Sequence, residues 1–96
     1  MKILAILRPA RATGITDAIA AQAADELRAL WQLYVGDRVR EMYSPGGPGA
    51  VLVLEAASAE EAAGHLQRLP LLTSGTMTLE TIELHPFGAL GMLFGD

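Results

Sequence analysis

The sequence contains no cysteine. That absence excludes a disulfide framework, a thiolate zinc centre and a cysteine nucleophile, and makes a cytoplasmic location the expected one. Basic residues are scarce as well. Seven Lys and Arg stand against eleven Asp and Glu, a formal net charge of −4, and no basic cluster is denser than Arg38-Val39-Arg40. Nucleic acid draws a protein through clustered cations, so it is not an expected partner. Long apolar runs are missing too. Ile3–Leu7 and Ala50–Leu54 are each five residues, far short of the roughly 20 that a membrane-spanning helix needs. No membrane partner is expected. The opening Lys2 to Arg8 is also too short in its apolar part for the h-region of about 7–15 residues in a secretory signal, and Arg8 closes it early. A first strand is the better reading.

What the sequence does hold is apolar residues in short, dense blocks. Hydrophobic residues make up 51% of 96 positions, enough for one domain over 1–96 with a modest core. The organising block is Gly49-Ala50-Val51-Leu52-Val53-Leu54-Glu55. A strand with one wet face alternates apolar with polar residues; this one is apolar on both parities, so both faces of its sheet require a cover. Either parity serves for either cover. Lys2 to Arg8 has the same character.

Between these strands, Thr16 or Asp17 offers an N-cap for a helix from Ala18 to about Tyr34. At 100° per residue, Ile15, Ile19, Ala23, Leu27, Leu30, Leu33 and Tyr34 fall on one arc, predicted to face the core. Glu26 falls inside that arc. Gly36 is the expected helix stop. Arg38 to Tyr43 reads as a second strand, with Val39, Glu41 and Tyr43 on one face and Arg38, Arg40 and Met42 on the other. Ser44-Pro45-Gly46-Gly47-Pro48 is a turn by composition. Ser58-Ala59-Glu60-Glu61 has the form of a capping box and starts a second helix, which Leu69-Pro70 is expected to end. Leu71 to Gly75 then leads into a last strand, about Met77 to Leu84.

The order β-α-β-β-α-β predicts an α+β, ferredoxin-like subunit, with two helices on one face of a four-stranded antiparallel sheet. The helices supply one cover. A second copy of the chain is the economical source of the other, giving a dimeric α+β barrel, a homodimer or a higher oligomer. Residues 87–96, apolar and glycine-rich, are expected to pack on the partner or over a pocket.

Val39-Arg40-Glu41-Met42-Tyr43, Pro48-Gly49-Ala50-Val51-Leu52 with Leu54-Glu55, and Leu69-Pro70-Leu71 resemble the muconolactone isomerase-like group of small dimeric α+β barrel proteins, nearest its uncharacterised bacterial members. The resemblance runs from about Glu26 to Phe94. It implies a pocket between sheet and helices and a reaction that shifts a proton without metal or organic cofactor. The family's acidic residues on the first helix correspond to Asp25 or Glu26.

A carboxyl in an apolar setting titrates upward, into the range useful for taking a proton from carbon. Glu26 is accordingly the candidate catalytic residue. Arg40, with its bidentate guanidinium, and the hydroxyls of Tyr43 and Tyr34 are candidate substrate-binding groups. The plainer reading makes Glu26 a structural acceptor for a backbone N–H or Arg40, and the tyrosines packing residues. Neither His65 nor His85 has a partner at metal-ligand spacing, so no metal site or cofactor is expected. Three functions fit these residues. The first is a cofactor-independent enzyme that isomerises or cyclises a small apolar or aromatic carbonyl compound. The second is a cofactor-free monooxygenase whose substrate supplies the electrons, and the third a non-catalytic dimeric module binding a small ligand.

Overall fold

In the computed structural model, which describes residues 1–95, the two doubly apolar strands lie side by side at the centre of one sheet. β1 (Lys2–Pro9) pairs antiparallel with β3 (Ala50–Glu55) on one side and with β4 (Met77–Glu83) on the other, and β2 (Val39–Tyr43) pairs with β3 at the edge. The sheet order is β2-β3-β1-β4. Helix α1 (Thr16–Val35) connects β1 to β2; α2 (Ala59–Leu66) and a four-residue turn of helix, α3 (Pro70–Thr73), connect β3 to β4. This is the expected four-stranded antiparallel α+β arrangement.

Burial assigns the two parities. Ile3, Ala5, Leu7, Leu52 and Leu54 are buried and form the core with Val39, Ala62, Leu66 and Leu69. The other parity, Leu4, Ile6, Val51 and Val53, is only half-buried. Cross-strand register places Leu4 beside both Val53 and Ile82, and Ile6 beside Val51, so these residues form one continuous apolar sheet face with no helix over it.

Several local expectations are corrected. The face of α1 is turned from the predicted arc: Glu26 is its buried residue, with Ala29, Leu30 and Leu33 packed on the core, whereas Leu27 is 65% exposed. Leu27, Trp31, Tyr34 and Val35 form an exposed stripe, and the Trp31 and Tyr34 rings stack 5.8 Å apart. A register shift between Val39 and Glu41 makes Arg40 a bulge residue. That extra residue flips the alternation, so Val39 and Met42 oppose Leu54 and Leu52, while Glu41 and Tyr43 join the open face.

Gly36 stops α1 as expected; the left-handed residue is the next one, Asp37 at φ 62°, and Arg38 N–H then donates to the Leu33 carbonyl. Finally, α1 starts at Thr16 with no side-chain cap, and α2 ends at Leu66, before Pro70. Pro70 instead opens α3, where its missing N–H costs nothing because a first-turn N–H has no helical partner.

The start of α2 follows the capping prediction with one change. Ser58 Oγ accepts from Glu61 N–H at 3.1 Å, but Glu61 Oε2 reaches past Ser58 to accept from Ala57 N–H at 3.1 Å. Beyond β4, a 3-10 stretch, Gly88–Phe94, carries the apolar tail. Phe87, Leu90, Met92, Leu93 and Phe94 are all exposed. The radius of gyration, 15.5 Å, exceeds the ~12.5 Å expected of a compact chain of this length. Residue 96, the end of the predicted tail, lies outside the described residues.

Candidate functional site

Glu26 lies on the core side of α1, near the middle of the helix, and only 5% of it is exposed. A carboxylate there needs a donor, and α3 supplies one. Pro70 begins that turn, so the N–H of Leu71 is among the first-turn donors that no helix carbonyl can reach. Leu69, at the N-cap position, has no side-chain acceptor to offer. The Leu71 N–H donates instead to Glu26 Oε1 at 3.0 Å, across 45 residues of sequence and in buried surroundings. Glu26 thus caps α3 from another element.

The second carboxyl oxygen is differently placed. No described residue donates to Oε2, and no fully enclosed side-chain oxygen or nitrogen among the described residues lacks a partner. Oε2 is therefore open to the adjoining cavity. That cavity measures about 300 Å³, at the small end of the range of small-molecule sites. Its walls are Ile19, Ala23, Leu27 and Leu30 from α1, Leu71 from α3 and Met77 from β4, and its rim is the Gly47–Ala50 turn into β3. Apart from Glu26, every side chain in this wall is apolar.

Burial pushes the Glu26 carboxyl above its ordinary value of 4.5; the Leu71 hydrogen bond, which favours the charged form, offsets this only in part. A pinned carboxylate with one bare oxygen, a raised affinity for protons and an apolar cavity in front of it is equipped to exchange a proton with a bound molecule.

The rim depends on one glycine. Gly49 has φ +123°, and a Cβ there would lie 2.3 Å from the Leu7 carbonyl oxygen, so the chain can enter β3 this closely against β1 only without a side chain. Gln22 Nε2 reaches Thr76 Oγ1 at 3.3 Å and ties α1 to the residue before Met77.

Of the four residues singled out in the sequence, Glu26 lines this cavity; Arg40, Tyr43 and Tyr34 do not. Arg40 is exposed at the bulge and donates through Nε to the Asp37 carbonyl at 3.0 Å. Tyr43, on the open face, donates its hydroxyl to Glu41 Oε1, and that bond to a carboxylate holds its phenol above the usual value. Tyr34 stacks on Trp31. Sequence reasoning missed the Leu71 amide, Met77 and the Gly47–Ala50 rim. Leu69-Pro70 carried a usable signal, since a proline that ends one helix equally well begins another and leaves first-turn N–H groups in need of an acceptor. No group of three or more His, Asp or Glu able to hold a metal ion occurs among the described residues. No helix among them is long and apolar enough to cross a membrane.

Compared with solved structures, the chain superposes on muconolactone isomerase with a TM-score of 0.70 at 23% identity, over 91% of this chain and 93% of that one. The chain has the fold of muconolactone isomerase. It is also similar to a 5-chloro-2-hydroxyhydroquinone dehydrochlorinase from Burkholderia phenoliruptrix AC1100, solved with 2,5-dihydroxybenzoquinone. There the TM-score is 0.63 at 17% identity, over 86% of this chain and 93% of the other. The sequence matches no protein-family model and none of the curated proteins compared with it. The fold expected from the resemblance is thus found, and at these identities the likeness extends to the fold alone.

Proposed function

We propose that this protein is a cofactor-independent enzyme that moves a proton within a small apolar or aromatic carbonyl compound, isomerising or cyclising it. The observation that carries this reading is Glu26, buried, pinned at Oε1 and bare at Oε2 before an apolar cavity of about 300 Å³. In the proposed step, Oε2 takes a proton from the carbon next to the carbonyl, the C–H electron pair passes into a conjugated enolate, and the same oxygen returns the proton at another carbon. Atoms and charge balance without an added reductant, oxidant or metal. The apolar wall suits a small apolar or aromatic body seated against the carboxyl. Support also comes from the two solved neighbours, whose names place unsaturated lactone and hydroxyquinone chemistry on this fold.

A panel of small unsaturated lactones and hydroxyquinones in deuterated water, followed by NMR, tests the reading. Deuterium is expected to enter the carbon skeleton of at least one compound, and Glu26→Gln is expected to slow that exchange by about 10²-fold or more. Exchange at the wild-type rate in the Gln variant would remove Glu26 from the chemistry.

One observation favours a second reading, a non-catalytic ligand-binding module. Leu71 needs an acceptor, and Glu26 provides it whether or not any reaction occurs. The Gln variant separates the two readings, because an amide oxygen still accepts from Leu71 while the basic oxygen is gone. A protein that binds hydroxyquinones equally well with either residue and exchanges no deuterium with either is a binding module.

We further propose that the protein works as a homodimer or higher oligomer. Among the described residues nothing covers the apolar face of Leu4, Ile6, Val51, Val53 and Ile82, and the apolar tail from Phe87 to Phe94 is exposed as well. A twofold pairing of sheet faces meets the first need, and a tail laid along the partner or over a pocket mouth meets the second. Any part of Arg40, Tyr43 or Tyr34 in holding substrate would be played across such a contact.

A further inference from the structure

A second cavity, of about 460 Å³, lies between the C-terminal half of α1 and the end of α2, and shares no residue with the Glu26 cavity. Ala29, Leu33 and Leu69 give it an apolar floor, and Arg38, Arg68, His65 and Gln32 supply its charged and polar groups. Arg38 is firmly rooted. Its N–H donates to the Leu33 carbonyl at 3.0 Å and its carbonyl accepts from Glu55 N–H at 3.1 Å.

The chain has a net charge of −4, yet two of its few cations converge here. Elsewhere Arg8 pairs with Glu80 and Arg28 with Asp25. Among the described residues neither Arg38 nor Arg68 pairs with a carboxylate. Arg38 Nη1 instead lies 2.8 Å from His65 Nε2. An arginine can only donate, so this imidazole nitrogen accepts and the ring proton sits on Nδ1. The nearby acid, Glu61, is outside the cavity wall; it accepts from Ala57 N–H with one oxygen and has the other 3.5 Å from His65. Two guanidiniums without a carboxylate, above an apolar floor, have the donor forks for an oxyanion and the surface for a hydrocarbon body.

We propose that this cavity binds a small organic anion, its carboxylate or phosphate head held by Arg38 and Arg68 and its apolar body resting on Ala29, Leu33 and Leu69. The inference is independent of the role of Glu26. Benzoate and phenyl phosphate are the probes, titrated into ¹⁵N-labelled protein. Saturable amide shifts are expected at Leu33, Arg38, His65 and Leu69, with a dissociation constant of the order of 1 mM for so small a ligand. Arg68→Gln changes an exposed side chain and is expected to weaken binding about fivefold to tenfold. The Arg38→Gln, Arg68→Gln pair should abolish it. Neutral benzamide should not bind, and inorganic phosphate should bind more weakly than phenyl phosphate. Undiminished benzoate binding in the double variant, shifts confined to Glu26, Gly49 and Leu71, equal binding of benzamide, equal binding of inorganic phosphate, or no saturable shift would each overturn the assignment. A thermal melt of each variant verifies that a lost signal is not lost folding.

Discussion

The Leu71 N–H donates to Glu26 Oε1 at 3.0 Å, joining the middle of α1 to the first turn of α3 inside the core. This one bond makes the stability and the chemistry of Glu26 separable. Glu26→Ala leaves a buried N–H with no acceptor and is expected to destabilise the fold by about 1–3 kcal/mol. Glu26→Gln retains the acceptor and should stay within about 1 kcal/mol of the parent. Urea unfolding of the three proteins reads the difference. Equal stability of the Ala and Gln variants would show that Leu71 finds another partner and that the cap is dispensable.

The same carboxyl fixes the sign of a pH effect. Burial raises the Glu26 pKa in the folded protein above the 4.5 of an ordinary carboxyl, so the folded state binds more protons than the unfolded one in that interval. Its contribution is therefore fully favourable below the unfolded value and is lost as pH rises through the folded one. Relative to Glu26→Gln, which does not titrate, the parent should lose stability with rising pH over that window. Proton exchange with substrate requires the basic form, so its rate should climb over the same window. Stability falling and rate rising over one pH window, both changes flattened in the Gln variant, are the expected result; a rate limb at or below 4.5 contradicts a buried base.

Much of this was legible in the residues themselves, and the errors have physical causes. Two strands apolar on both parities identified the sheet centre and the need for a cover on each of its faces, and the order of elements gave the topology. The position of Glu26 on the helix wheel was also readable. What a wheel cannot contain is a bulge or a helix turn supplied by another segment. Arg40 moved because one extra residue in β2 inverted the alternation downstream. Leu27 stayed exposed because α1 is rotated so that Glu26 is buried and bonded to Leu71 while Ala29, Leu30 and Leu33 pack on the core. Periodicity counts apolar residues and gives no weight to a carboxyl that finds a donor.

Asp37 is the residue that absorbs the left-handed turn between α1 and β2, at φ 62°. An L-residue there carries a steric cost of roughly 1–2 kcal/mol, which glycine avoids at the expense of a more flexible unfolded chain. Asp37→Gly is therefore expected to stabilise the protein by up to about 1 kcal/mol. The backbone carbonyl that Arg40 holds is retained in the variant. A melting temperature below that of the parent would mean that the aspartate side chain contributes more than its backbone costs.

Gly49 stands in the opposite position. At φ +123°, with a Cβ placed 2.3 Å from the Leu7 carbonyl oxygen, alanine is excluded on two counts. Gly49→Ala should cost about 1–3 kcal/mol from the backbone alone, and more from the displaced β1–β3 pairing. Because Gly49 also rims the Glu26 cavity, ligand affinity should fall together with stability. Gly47 rims the same cavity but has open space where a Cβ would stand, and its alanine variant should leave stability nearly unchanged. Calorimetry of the pair tests whether close approach, rather than loss of a glycine as such, sets the requirement.

The open sheet face yields a prediction about assembly. Ile6 faces Val51 across β1 and β3, with Leu4 and Val53 the next pair along, and Arg8 and Glu80 form an ion pair at one margin. A contact formed by two such faces has an apolar centre, so a charge placed there would lose water without gaining a partner. Leu4 is half-buried in the single chain and lies between Val53 and Ile82, away from Glu80, so Leu4→Lys should fold but should not associate. Sedimentation equilibrium is expected to give at least twice the 10.2 kDa chain mass for the parent and the single mass for the variant. Removing the residues after Pro86 should weaken association without changing the sheet, since the tail from Phe87 is exposed in the single chain. A parent that sediments at 10.2 kDa at every concentration would leave the apolar face uncovered and contradict the assembly. The two variants also divide the interface, because the lysine tests the sheet contact and the truncation tests the tail.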